Sequence, residues 1–420
     1  MDIGSIALIM LFVVIAVGFW KKLNVGILAI AAAVILGYGT GEFKGKQIIG
    51  GFSSSLFMTL LGVTLFFGLV QYSGALELLM RKLVAFFGKQ VWMIPIMIYA
   101  IGFIIAAVGP GCVPALAFVA ALAIPLSHQT GFDAVMLMLI GDMGTFGGRF
   151  SPITPEGVLI FNLMDKQGFS GFSLPVFINA TIGSILLALL PYLYYKGYKV
   201  RANSELKTVA VEKFTVKQFI ALASIVVMIL GVIFLKMDVG LASFLVAIFL
   251  ILTGVGSEKE AIKSVPWNTI IMVTGVGVLM NIVISTGGID TLAASMARMM
   301  TPKTATAIMG TSAGVMSWFS SAIGVVMPTL IPTVGSVASQ VGGSIPVTPL
   351  VTVIGIFASV AGISPASTGG AIILGAYSGD PEYGKTKRNE KLFIECLIWS
   401  VVFVIILALF ALLGVFGVIV

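Results

Sequence analysis

The chain has 420 residues, 59% hydrophobic and 10% charged, with a formal charge of +7. A mean hydropathy of +1.12 lies far outside the range of an ordinary soluble domain and requires a polytopic membrane protein. A single His128 and two cysteines inside apolar segments, Cys112 and Cys396, exclude a histidine metal centre and a disulfide framework, and the short basic clusters between apolar spans are topology signals, not a nucleic-acid surface.

The N-terminus enters an apolar span at once, over 3–20, without a cationic leader or a cleavage site, and is read as a retained helix. Spans follow at 25–40 and 53–71, then an amphipathic stretch at 75–87 carrying Arg81 and Lys82. Residues 92–127 form two apolar arms around Gly109, Pro110 and Gly111. They are too long for one crossing and broken in the middle, which predicts a re-entrant hairpin. An interrupted segment at 132–164 and a span at 174–195 close the first half, 1–199. A polar cytoplasmic linker, 200–215, leads to a second half, 216–420, with the same order. It has spans at 219–235, 239–253 and 269–285, an interfacial stretch at 289–300, and a hairpin at 305–340 with its tip at Ser320 and Ser321. An interrupted segment at 347–377 and a span at 392–418 complete it.

The two halves are one duplicated unit. Gly74 in YSGALELL and Gly288 in TGGIDTLA lie 214 residues apart (288 − 74), as do Pro114 and Pro328 (328 − 114), and Ser151 and Ser364 lie 213 apart (364 − 151). Five crossings per half, an odd number, invert the second half relative to the first. The expected fold is therefore an all-α polytopic membrane protein of two inverted-topology repeats, each with five transmembrane helices, one discontinuous, and one re-entrant hairpin. With the N-terminus outside, 17 of the 24 basic side chains fall on the cytoplasmic side and 6 outside, with Arg149 within the membrane. That bias predicts both termini outside a plasma (inner) membrane.

Each interrupted segment carries a polar break, Gly147-Gly148-Arg149-Phe150-Ser151-Pro152-Ile153-Thr154 in the first and Gly362-Ile363-Ser364-Pro365-Ala366-Ser367-Thr368 in the second. Backbone that leaves the helix inside a bilayer must be buried in protein or line a wet cavity, so paired breaks mark a binding site near the midplane. Arg149 is the only basic side chain predicted at that depth, at a cost of at least about 2.5–3.5 kcal/mol unless paired or wet. It either pairs internally, with Asp142 or Glu156, or contacts a carboxylate substrate through its planar fork. Ser151, Thr154, Ser364, Ser367 and Thr368 offer hydroxyls, and helix N-termini at both breaks and both hairpins can face an anion. Asp142 either ligates a sodium ion, accepts a proton during coupling, or only neutralises Arg149, while Glu156 is placed at the outer, solvated end of the break.

These motifs resemble the ion transporter superfamily, which includes the divalent anion/sodium symporters, and within it the MatC-type dicarboxylate (malonate) carriers. The likeness rests on NVGILAIAAAVILGYGTG, AAVGPGCVPALAFVAALAIPLSHQTG, GDMGTFGGRFSPITPEGVL, PWNTIIMVTGVGVLMNIVISTGG and AGISPASTGGAIILGA. It implies a homodimer with a scaffold domain of early helices and a transport domain of hairpins and broken helices that moves like an elevator. It also implies a dicarboxylate held between the tips, Gly109–Cys112 and Ser320–Gly324, and the breaks, Arg149–Thr154 and Ser364–Thr368. Coupling to a cation falls to Asp142, Gly148 and Gly362. The sodium symporters carry Ser-Asn-Thr at their hairpin tips where this chain has Gly-Pro-Gly-Cys and Ser-Ser-Ala-Ile, so Na+ and H+ both stand as coupling ions, with no other cofactor. The resulting function is a non-enzymatic, cation-coupled carrier of small organic dianions, malonate or a C4-dicarboxylate. The alternatives are the membrane subunit of a binding-protein-dependent transporter and a cation/proton antiporter.

Overall fold

The structure is a computed structural model that describes residues 2–79, 82, 91–109, 111–200, 212–341, 345–365 and 367–417. Pro110, Ala366, Arg81 and most of the linker expected at 200–215 lie outside the described residues. The first half contains α1 (Ile3–Lys21), α2 (Val25–Thr40), α3 (Gly45–Gly50), α4 (Ser54–Tyr72), the hairpin arms α5 (Ile94–Val108) and α6 (Cys112–Thr130), the broken pair α7 (Ala134–Gly148) and α8 (Pro155–Asp165), and α9 (Ser173–Tyr194). The second half has α10 (Val216–Phe234), α11 (Val239–Leu252), α12 (Glu258–Ser264), α13 (Trp267–Ser285) and α14 (Gly288–Ala297). It continues with hairpin arms α15 (Ala305–Phe319) and α16 (Ala322–Gln340), the broken pair α17 (Val347–Ala361) and α18 (Thr368–Gly379), and α19 (Lys387–Leu412).

Helix ends repeat the sequence offset. α1 and α10 begin and end 213 residues apart (216 − 3, 234 − 21), as do α4 and α13 (267 − 54, 285 − 72) and α7 and α17 (347 − 134, 361 − 148). The short helices α3 and α12 were not expected from hydropathy, yet they start at the same offset (258 − 45). Two ends moved from their expected positions for identifiable reasons. α10 starts three residues earlier because Thr215 and Gln218 form a reciprocal capping box. α19 starts at Lys387 instead of 392 because Arg388 is taken up by ion pairs with Asp133 and Glu395, which lets a charged turn join the helix.

Packing groups the helices by glycine contacts as much as by hydrophobic side chains. A Cβ on Gly26 of α2 would lie 2.3 Å from the Ile271 carbonyl oxygen of α13, and one on Gly275 2.4 Å from that of Gly26. At the equivalent crossing, a Cβ on Gly62 of α4 would lie 2.4 Å from the Gly240 oxygen of α11, and one on Gly240 2.4 Å from the Thr59 Cα. Close approach of this kind is how helices associate where lipid offers no hydrophobic drive. Thus α2 packs on α13 and α4 on α11, each crossing joining opposite repeats. One apolar cluster gathers α1, α2 and α13, and another α4, α10 and α11. The largest holds both hairpins, both broken helices, α9 and α19. Every residue of α7 is buried, and α17 is almost as enclosed, which explains why both are apolar all round.

Candidate transport site

The first break starts where α7 runs out at Gly148. Thr154 then ends the loop, its hydroxyl donating to the carbonyls of Arg149 and Ser151 and accepting from Gly157 N–H at 3.0 Å, with Pro155 in the first turn of α8. In the second break Gly362 and Ser364 follow α17, and the Gly362 carbonyl accepts from Gly370 N–H at 3.1 Å. The two are not equivalent: α18 begins at Ser367 without a side-chain cap. With the Gly370 N–H taken by the Gly362 carbonyl, the N–H groups of Thr368 and Gly369 are the ones that face a ligand.

Between the second break and the hairpin tips lies a cavity of about 310 Å³. Its polar wall is formed by Arg149, Glu156, Ser317, Ser320, Ser321, Ser359, Ser367 and Thr368, with Cys112, Gly362 and Gly369. Phe19 at the end of α1 and Thr269 in the first turn of α13 also line it. The hairpin tips close in on the surrounding helices: a Cβ on Gly109 would lie 2.0 Å from the Phe67 ring, and one on Gly324 2.2 Å from Met272 Sδ. At Gly109 φ is +136° and at Gly111 +85°, conformations open to glycine, which lets the tip fold back without a side chain in the way.

Arg149 does not reach Asp142. Its Nη2 donates to Glu156 Oε1 at 3.1 Å and its Nη1 to Ser359 Oγ at 3.0 Å, while Nε has no partner. The same Glu156 oxygen accepts from the Cys112 N–H at 3.3 Å, so a carboxylate of the protein sits at the N-terminus of hairpin arm α6. Glu156 is 2% exposed, which corrects its expected place at a solvated end of the break: Pro152 and the cap at Thr154 turn the chain back toward Arg149.

The remaining site candidates fall into two groups. Arg149, Ser320, Ser321, Gly362, Ser367 and Thr368 meet at the cavity. Thr154, Ser151 and Ser364 are buried in the breaks, with the Thr154 hydroxyl committed to capping. Gly148 is a packing glycine: a Cβ there would lie 2.2 Å from the Phe103 carbonyl oxygen of α5. Asp142 is buried, its Oδ2 unpartnered, and is not part of the cavity wall. Gly111 and Gly109 shape the first tip, and Pro110 lies outside the described residues. Glu156, Ser317 and Ser359 were not named as ligand contacts from sequence, while Cys112 entered as the end of the first hairpin tip. Only Glu156 carried a signal, an acid within a few residues of an intramembrane arginine.

Two re-entrant hairpins meeting two broken helices at a polar cavity within the membrane define a transporter fold. The YdaH transporter of Alcanivorax borkumensis, whose crystal structure is described as having an unusual topology, matches with a TM-score of 0.57 at 10% identity, over 88% of this chain and 87% of that one. No curated protein sequence matches significantly. A family model described as citrate transporter (CitMHS) matches residues 9–357, and the chain belongs to that family. It is a membrane transporter and not an enzyme.

Proposed function

We propose that the chain is a secondary carrier of small organic anions with two or three carboxylates, of the malonate, C4-dicarboxylate or citrate class, driven by a coupled cation. One observation carries this reading: Arg149 shares a cavity with Ser367, Thr368 and Gly369 at the N-terminus of α18, which has no side-chain cap. One carboxylate would accept from Arg149, for which a guanidinium fork is suited, and another from the first N–H groups of α18 with Ser367 and Thr368. Ser320 and Ser321 would close over the ligand from the hairpin tip. The family's description supports a polycarboxylate, and the motif likeness to malonate carriers supports the shorter ones.

Alternating access would be of elevator type. By the charge bias, the end of α1 and the start of α13 are cytoplasmic, so the cavity between Phe19, Phe319 and Thr269 opens inward. A second cavity of about 540 Å³, lined by Gly50, Lys166, Asn281, Asp290 and Ser336, lies toward the other side. Sliding the hairpins and broken helices outward would exchange the two. The exposed apolar faces of α10 and α11, including Phe219, Leu230, Leu245 and Phe249, are the surfaces we assign to lipid and to a second copy in a homodimer. Cation/proton antiport keeps one supporting observation, the unpartnered Oδ2 of buried Asp142. Uptake of labelled malonate, succinate and citrate into proteoliposomes, with Na+ and pH varied independently, separates these readings. Anion accumulation driven by either cation gradient supports the carrier, and cation exchange that ignores every organic anion overturns it.

A further inference from the structure

The Arg149–Glu156 pair lines the cavity in which the anion reading needs Arg149 to be free. Arg149 gives one N–H of Nη1 to Ser359 and one of Nη2 to Glu156, with Nε unpartnered, so its charge is already balanced by Glu156 when a substrate carboxylate arrives. Glu156 is also unevenly used. Its Oε1 accepts from both Arg149 and the Cys112 N–H, while Oε2, equally buried, has no partner. Arg149, the proposed substrate contact, and the N-terminus of α6 thus both engage a carboxylate of the chain.

We infer that Glu156 is an internal competitor of the substrate, holding Arg149 in the empty carrier and yielding it to a substrate carboxylate only on gaining a proton at Oε2. This rests on the anion-carrier reading above. The charges facing Glu156 are few. Arg149 comes from the break, the Cys112 thiol from α6, and Asp142 from α7 lies within electrostatic range of that thiol. Hairpin tip α15–α16 and helix α17 contribute hydroxyls from Ser317, Ser320, Ser321 and Ser359 and no charge. An entering dianion therefore meets one cation already paired with the Glu156 carboxylate, and in a poorly solvated site the surplus negative charge must be removed. The balance is simple: a proton from cavity water forms an O–H bond on Glu156, the ion pair with Arg149 ends, and the substrate carboxylate accepts from Nη2 instead. When substrate leaves, the proton returns to water and the pair reforms. One proton is bound for each substrate molecule bound.

Calorimetric titration of the purified full-length chain with malonate and with citrate, in buffers of different ionisation enthalpy and across pH, tests this. The ligand's own protonation is shared by all variants and cancels in their difference. Wild type is expected to take up about one more proton per ligand than Glu156→Gln, and to lose about tenfold more affinity per pH unit on the alkaline side. Glu156→Asp keeps the carboxylate but reaches Arg149 less well, so it should bind more tightly than wild type at alkaline pH with proton uptake retained, which also serves if the Gln variant does not fold. Equal proton uptake in wild type and Glu156→Gln overturns the inference, as does weaker binding by Glu156→Gln at every pH, the mark of a residue that only positions Arg149. Arg149→Ala binding both anions as wild type does would instead remove the anion-carrier reading itself.

Discussion

At the scale of single residues, the membrane makes charge legible and partnership hard to read. Arg149 stood out because an arginine among apolar residues must be explained, but its partner lay across a break, where helical spacing no longer predicts who meets whom. Asp142, two turns back on the same helix, was the natural candidate by spacing, but the ion pair of Arg149 is with Glu156 and the Asp142 Oδ2 has no partner. Ser359 gave no sequence signal, since a serine in an apolar helix is most often a packing group. Thr154 shows the opposite error, a hydroxyl that looked like a ligand and is a cap. Thr154→Ala should lower stability by about 1 kcal/mol in a detergent melt while leaving the affinity for the transported anion within a factor of two. On the loop after α18, the N–H of Tyr383 does most to hold the Asp380 carboxyl below its ordinary value of 3.8, helped by His128 at 3.1 Å. A depressed folded-state value means that this stabilisation is complete above about pH 4 and is lost as pH falls through the lowered value. Melting curves of wild type and Asp380→Asn should differ at neutral pH and converge under acid.

Among elements, hydropathy and proline or glycine punctuation located the spans, the hairpins and the breaks to within a few residues. They missed α3 and α12, because two-turn interfacial helices have neither length nor an apolar run, and only the repeat offset would have linked them. The pairing of helices across repeats was likewise invisible, since it depends on which glycines face each other. Gly26 and Gly240 are equivalent positions one repeat apart, and each admits the carbonyl or Cα of a facing helix. Gly26→Val and Gly240→Val should each cost about 1–3 kcal/mol in thermal stability through overpacking, whereas Gly39→Val, with open space around its Cβ, should not. The aromatic contact of Phe19 with Phe319, 5.7 Å between ring centroids, ties the end of α1 to the second hairpin tip. In a background without native cysteines, joining Phe19→Cys to Phe319→Cys with a short thiol cross-linker should stop transport, and reduction of a cleavable linker should restore it. Unimpaired transport by the cross-linked protein would mean that the tip does not leave α1 during the cycle.

For the whole molecule, duplication and inversion account for both the fold and the asymmetry of its site. The same unit is used twice in opposite orientations, so the breaks meet, but only the first copy carries Arg149, Asp142 and Glu156. The second contributes an open helix terminus and hydroxyls. Composition and the repeat were enough to specify a membrane transporter, while the state of the site depended on contacts that only folding brings together. We propose Arg149 as the anion contact of a polycarboxylate carrier. Uptake of labelled malonate and citrate by proteoliposomes containing wild type, Arg149→Lys and Arg149→Ala at matched protein content tests it most directly. Loss of at least about 100-fold in Arg149→Ala, with partial activity in Arg149→Lys, is the predicted result for a charge-assisted fork of about 3 kcal/mol. Uptake by Arg149→Ala at the wild-type rate and affinity would contradict it.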